Sequence, residues 1–481
     1  ATAYFSTESS LPAIRRHLQK LASVRDNQGI VYRLHRALFS SEEASLYPMT
    51  PRVLRILEDD VLARRREIDA TLEEHFDELF HMTLRHFNLE ELGRRERREL
   101  RITEAVTASP FWREAEALIE AIAAQIASVE TPLKRVLDLL VTFPDEIARE
   151  LVDHATALQA AATKLAEQRT ALHFFLTSGD EDFCRWLEVG YLRDRPIVRP
   201  CTAPLDVAPS LRASLFSRKK TVILTSGTLT VEGRFDYIAR QLGLQDTAPD
   251  CGPGSAGRGD ADEEQPMAEN EGGEAQEESG ELPVAERTTY LRLGTPFDYR
   301  KNCMLGVTLD TEDPTSPTFD AAIVPVIEKA LAITGGRAFV LFTSYRALER
   351  VYTALRPVLS RAGMNPLRQG EMPRSRLIDA FRSTPRSVLF ATSSFWEGVD
   401  VPGRALECLI LTRLPFSVPT TPILAARTER IDRRGGNSFT ELTVPMAVIR
   451  FKQGFGRLIR TKNDRGIVLV LDHRVVQHQH N

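Results

Sequence analysis

"SVLFATSSFWEGVDVPG", Ser387 to Gly403, runs from an apolar stretch into a loop holding two glycines, Glu397 and Asp400. Its first six residues read as a strand without a polar face, which suits a sheet covered on both sides. The same pattern recurs around it. Strands are expected at MLGVTL (Met304–Leu309), AFVLFT (Ala338–Thr343), LECLILT (Leu406–Thr412) and GIVLVLD (Gly466–Asp472), with helical segments near 318–333, 345–360 and 422–434 between them. Short buried strands separated by helices imply an α/β domain built on a parallel sheet. In such sheets function gathers at loops beyond the strands' C-terminal ends. Upstream, TVILTSGTL (Thr221–Leu229) reads as one more strand feeding a Ser/Gly/Thr turn, with the helical FDYIARQLGL (Phe235–Leu244) behind it.

The 481 residues call for two to four domains. Hydrophobic residues make up 42% and charged residues 27%, the balance of a globular protein. No apolar run approaches the roughly 20 residues of a spanning helix. The opening ATAYFSTESS has neither the basic start nor the apolar core of a signal peptide. Five scattered cysteines (Cys184, Cys201, Cys251, Cys303, Cys408) include no CxxC pair. That pattern argues against a disulfide framework or a zinc site and for a reducing, cytoplasmic setting. Because the first residue is Ala, a processed product or a fragment is expected.

Between Asp250 and Glu286 twelve acidic residues face Arg258 alone, so the rest of the chain carries +7 beneath a total of −4. A basic body fits a polyanion-binding protein. The stretch 249–286, rich in Gly, Pro and Glu, buries too little to offset its ordering entropy and is expected to be a disordered linker. Residues 8–175 are helical in period. Ile68, Leu72, Phe76, Leu79, Phe80 and Phe87 repeat at three and four, as do Leu118, Ile119, Ile122, Ile126 and Val129. The charge-dense GRRERRELR (Gly93–Arg101) is expected to be a solvated helix face. In LLVTFPDE (Leu139–Glu146), Asp145 and Glu146 are read as a first-turn acidic pair on a helix starting near Pro144.

Gly398 and Gly403 allow close backbone approach to a ligand, while Glu397 and Asp400 accept from ribose hydroxyls or orient an arginine. GVDVPGRA (Gly398–Ala405) has the glycine spacing of a phosphate loop, but Arg404-Ala405 stands where Lys-Ser/Thr is required. No other segment matches GxxxxGK[ST]. Near the C-terminus, KQGFGRLIRTKNDRG (Lys452–Gly466) places Gln453, Arg457 and Arg460 together on a helical face. Arginine's planar fork suits phosphate oxygens at any working pH.

TSGTL, GGRAFVLFTSY, LIDAFRSTPRSVLFATSSFWEGVDVPG, LTRLPFSVPTTPI and QGFGRLIRTKNDRGIVLVLDHR, taken in order, closely resemble the DinG/XPD-like helicases of superfamily 2. TSGTL (Thr225–Leu229) is similar to their motif III, with Gly227 in place of alanine. FTSY (Phe342–Tyr345) is similar to motif IV, SFWEGVD (Ser394–Asp400) to motif V and QGFGRLIR to motif VI. The resemblance implies a RecA-like second motor domain at 287–481 and the C-terminal part of a first at 176–248. It also implies a helical, arch-like insertion with flanking first-domain sequence at 1–175. It further implies ATP with Mg²⁺, and a monomer acting on single-stranded DNA, or DNA with a single-stranded tail, in repair or replication.

Under that resemblance Arg457 and Arg460 are arginine fingers, and Gln453, Glu397, Gly398, Asp400 and Gly456 line the nucleotide cleft. Thr225, Ser226 and Thr228 couple the domains, while Ser344, Tyr345, Arg413 and Phe416 face the strand. Polarity is expected to be 5′ to 3′. The family's phosphate loop, its DEAH box and, where present, its iron–sulfur cysteines precede the insertion, so the chain is expected to be a fragment inactive alone. Whether a cluster exists stays open. The alternative is a nonenzymatic, nucleic-acid-binding pseudo-helicase, against which the intact Gln453, Arg457 and Arg460 weigh.

Overall fold

The computed structural model describes residues 2–94, 96–179, 181–244, 288–295, 297–392, 395, 406–417, 421–456, 458–459, 461 and 464–477. The chain forms two compact units, one of Ala1–Ser210 with Pro419–Arg433, the other of Leu211–Val418 with Arg434–Asn481.

The first unit is helical, as the 3.6-residue period requires. Its helices include Leu11–Leu21, Ile30–Ser40, Ala63–His86, Pro110–Leu140 and Asp145–Thr177. The last two flank a short turn and bury Ile119, Ile122, Ile126 and Val129 with Leu158 and Leu165. The Asp145–Thr177 helix begins after Pro144 with Asp145 and Glu146 in its first turn, as expected. Arg65 is buried in this core. Its guanidinium donates to the carbonyls of Leu18 and Ala22, which end the Leu11–Leu21 helix, and to Asp69 at 2.7 Å. Such internal partners make a buried guanidinium tolerable.

A four-stranded antiparallel sheet completes this unit: β1 (Thr7–Glu8), β2 (Arg97–Arg101), β3 (Phe183–Leu192) and β4 (Arg195–Pro204), in the order β1-β4-β3-β2. Here GRRERRELR departs from expectation, because its end is edge strand β2, with Leu100 opposite Leu187. Charged side chains alternate along an exposed edge much as along a solvated helix, and edges carry them to prevent further pairing. The β3–β4 hairpin pairs with this strand, so residues up to 210 stay with the helical part. The Pro422–Arg433 helix joins them: Ala426 packs with Cys184 and Leu205, and Glu429 holds Arg101 through two bonds of 2.6 and 2.9 Å.

The second unit is a six-stranded parallel sheet of β5 (Cys303–Val307), β6 (Ala338–Phe342), β7 (Asn365–Arg368), β8 (Ser387–Thr392), β9 (Cys408–Leu411) and β10 (Gly466–Val470). The order is β5-β10-β9-β6-β8-β7. Side chains alternate between faces. Val340, Phe342, Val388, Phe390 and Ile410 meet the Phe319–Thr334 and Tyr345–Arg361 helices. Phe339, Leu341, Leu389, Leu409 and Val468 meet Leu377 and Phe381 of the Arg374–Ser383 helix, together with Leu458 and Ile459. Strand β7 and the Arg374–Ser383 helix add to the expected elements.

TVILTSGTL is not a strand. Residues 221–226 pair with no other among those described, and Ile223 and Leu224 are 80% and 45% exposed. A strand without a ladder partner has no hydrogen bonds to hold it, whatever its apolar content. The helix behind it forms over Asp236–Leu242 and ends at Gly243 in the left-handed conformation. The expected linker at 249–286 lies outside the described residues.

Candidate motor site

The parallel strands deliver one group of candidates to the sheet's C-terminal edge. Ser344 follows β6 and caps the Tyr345–Arg361 helix, its Oγ accepting from the Ala347 amide at 3.2 Å. Tyr345 beside it is 59% exposed. Gln369, just past β7, donates through Nε2 to the Tyr345 hydroxyl. Its Oε1 accepts from Thr392, the last residue of β8, at 2.7 Å from the amide and 3.0 Å from Oγ1. The sequence reading did not single out Gln369, because it follows a four-residue edge strand containing Pro366 and Arg368.

Arg413 and Phe416 lie on the loop leaving β9. Arg413 donates to the Pro314 carbonyl at 2.9 Å, pairs with Asp320 at 2.9 Å and sits 4.6 Å over the Phe319 ring. Its guanidinium is thus taken up in holding the loop to the start of the Phe319–Thr334 helix. Phe416 lies 5.7 Å from the Phe439 ring, with the Arg474 guanidinium 5.8 Å from its own centroid. Asp472, after β10, is fully buried. It accepts from the Leu414 amide at 2.9 Å and from Arg474 Nε and Nη2 at 2.9 and 2.7 Å. Burial pushes its carboxyl up, but the Arg474 guanidinium and Leu414 amide outweigh that and hold it below the usual carboxylate range.

A second group lies elsewhere. Gln453 and Gly456 end the Val444–Phe455 helix, and the chain then passes Leu458 to enter β10. Leu458 lies against Gly466 at the start of β10, close to the Glu407 carbonyl. The helix carrying Gln453, with Leu458 after it, therefore approaches the sheet from the strands' N-terminal side, as any helix feeding a parallel strand must. This corrects the expectation that the informative residues share the C-terminal edge. Lys452 Nζ donates to the Thr230 carbonyl at 3.0 Å, joining the helix to the residue after TSGTL. Within TSGTL, Ser226 Oγ accepts from the Thr228 amide at 3.2 Å and lies 3.3 Å from Thr228 Oγ1, closing a local turn, while Thr225 is exposed.

Gln453 carries a buried Oε1 with no hydrogen-bond partner among the described residues. Buried amide oxygens are normally satisfied, so this one fits a ligand-facing role. Arg457, Arg460, Glu397, Gly398 and Asp400 lie outside the described residues. No three His, Cys, Asp or Glu side chains converge as metal ligands among the described residues, and Cys184, Cys201, Cys303 and Cys408 are free thiols. No helix among them is long and apolar enough to cross a membrane.

Residues 327–481 match the helicase C-terminal domain family. The match takes in the parallel sheet from β6 to β10, and so marks this part of the second unit as a helicase C-terminal domain. The chain is 31% identical over 301 residues to the 3′-5′ exonuclease DinG of Bacillus subtilis, covering 62% of this chain and 28% of that one. It is 30% identical over 354 residues to the ATP-dependent DNA helicase YoaA of Haemophilus influenzae, covering 72% of this chain and 47% of that one. A solved structure described as XPD_APO aligns with 98% of this chain and 70% of its own at 14% identity and a TM-score of 0.44, a distant likeness. The chain is thus similar to DinG-type helicases, and it spans less than half the length of these two curated relatives.

Proposed function

We propose that this chain is the C-terminal motor portion of an ATP-dependent, cytoplasmic DNA helicase of the DinG type, moving 5′ to 3′ on single-stranded DNA as a monomer. ATP, when bound with Mg²⁺, supplies the phosphoryl transfer that drives closing and reopening of the motor. The phosphate loop and DEAH box that hold it in this family do not occur in the sequence. Gln453, Arg457 and Arg460 contribute donors toward the γ-phosphate, and Glu397, Gly398, Asp400 and Gly456 line that cleft. A single arginine in such a position contributes roughly 10³–10⁵ in rate. Thr225, Ser226 and Thr228 link the nucleotide cleft to movement, with the Lys452–Thr230 bond as their tie to the motif VI helix. Ser344, Tyr345 and Phe416 face the DNA, where an aromatic ring and short donors suit sequence-independent contact. Arg413 positions the loop that presents Phe416.

The observation that carries this reading is the unpartnered Oε1 of Gln453, buried on the helix that leads into both arginines. The test joins this chain to a first half carrying a phosphate loop and measures DNA-stimulated ATP hydrolysis. Arg460→Ala is expected to lower turnover at least tenfold, with much less loss of nucleotide binding. Unchanged turnover refutes the assignment.

A further inference from the structure

Gln369 stands between Tyr345 and Thr392, and the direction of its bonds is not arbitrary. A backbone N–H only donates. The Thr392 amide therefore fixes Gln369 Oε1 as an acceptor, at 2.7 Å, which turns Nε2 toward the Tyr345 hydroxyl. That hydroxyl receives a proton from the amide, so its own proton is left to point elsewhere. Among the described residues no acceptor meets it, and the ring is largely exposed. Next to it, Ser344 Oγ accepts from the Ala347 amide, which likewise leaves the serine proton to donate outward.

We infer that Gln369 is a positioning residue that sets Tyr345 as an outward hydrogen-bond donor to the phosphodiester oxygens of a nucleic-acid strand. Phosphodiester oxygens accept and never donate, so a hydroxyl locked as an inward acceptor matches them and one donating inward does not. Thr392 supplies the fixed end of the relay, being 4% exposed at the close of fully buried β8. Two donors, from Tyr345 and Ser344, stand side by side where β6 ends. The inference deepens the DNA-facing role proposed for Tyr345 and rests on it.

The test is a double-mutant cycle read by fluorescence anisotropy, with a labelled oligothymidylate and the whole 481-residue chain. Tyr345→Phe removes only the donor and is expected to weaken binding about tenfold, the effect of one hydrogen bond to a charged acceptor. Gln369→Glu keeps the shape and the Thr392 bond but offers Tyr345 a carboxylate, so the phenol donates inward. It too is expected to weaken binding about tenfold, and the double variant no further. A pH series adds a readout that a merely structural role would not move. The introduced carboxyl, once protonated, donates where the amide did, so the Q369E deficit shrinks from about pH 7 to about pH 4 while the Y345F deficit does not. Arg368, Glu371 and Glu349 nearby, and Arg346 beside Tyr345, are common to every variant and cancel in the ratio. Should Q369E lose its fold, Q369M removes the relay without a charge and is read in the same cycle. Additive losses of about a hundredfold, or unaltered binding by Y345F, overturn the inference alone. No binding by the wild-type chain overturns it together with the reading it rests on.

Discussion

Asp472→Ala tests whether the loop after β9 is held by the end of β10. The Asp472 side chain has no exposure, and its carboxylate accepts from the Leu414 amide, the Arg474 guanidinium at two points and the Arg474 amide at 3.2 Å. Alanine leaves the Leu414 amide unanswered and strands the guanidinium beside a cavity. Breaking a buried, hydrogen-bonded pair costs about 3–5 kcal/mol. Arg474 keeps 27% of its side chain exposed and rehydrates in part, which places the expectation near 3 kcal/mol. That is a large share of a domain stability of about 5–15 kcal/mol. Asp472→Asn keeps one acceptor and should cost about 1–2 kcal/mol. Because the folded carboxyl titrates below its unfolded value, its stabilisation is present above about pH 4 and lost as pH falls through the depressed folded value. The gap between wild type and D472N therefore narrows in acid. Two compact units make a global unfolding curve ambiguous, so hydrogen exchange over 406–417 is the sharper assay alongside urea denaturation. Unaltered protection there, with a loss below about 1 kcal/mol, would refute the argument.

Two glycines give opposite expectations. At Gly227 an added Cβ meets nothing within 4 Å and the backbone is not left-handed, so Gly227→Ala should leave stability in urea level or raise it by about 0.4–1 kcal/mol through the unfolded chain. A loss above about 1 kcal/mol would show that the TSGTL turn uses conformations alanine resists. At Gly466 a Cβ would stand 2.7 Å from the Leu458 side chain and 2.8 Å from the Glu407 carbonyl, which also accepts from the Ile467 amide. Gly466→Ala should cost about 2 kcal/mol in urea and displace Leu458 within QGFGRLIR; an unshifted urea midpoint would contradict that packing.

The central strands were legible because burial on both faces leaves no polar positions. SVLFAT reads as β8 over Ser387–Thr392, with no residue gained or lost. Strand β7 was not legible, since an edge strand of four residues with Pro366 and Arg368 has no such signature. GRRERRELR misled for a related reason: alternating charge marks exposure, and exposure is shared by helix faces and sheet edges. Only pairing with β3 settles which. TVILTSGTL shows the converse. Its composition is that of a buried strand, but a strand is defined by its ladder, and the described residues offer it none. The placement of Gln453 follows from topology once β10 is known to be parallel. Spacing alone groups Gln453 with Arg457 and Arg460 but does not say at which end of the sheet its helix ends.

The motif-like stretches mark the loops of the second unit, and single residues between them hold those loops in place. Gln369 ties the start of the Tyr345–Arg361 helix to β8, Asp472 ties the Leu414–Phe416 turn to β10, and Lys452 ties the motif VI helix to Thr230. Each tie joins segments far apart in sequence, so no local pattern announces it. The Asp472 and Lys452 ties also end on a loop's backbone amide or carbonyl, which any residue but proline supplies at Leu414 and any residue at Thr230. For these two the loop end of the bond is indifferent to side chain, and the specificity rests on Asp472 and Lys452. Substituting either should accordingly perturb the candidate site more than substituting the loop residue whose backbone it holds.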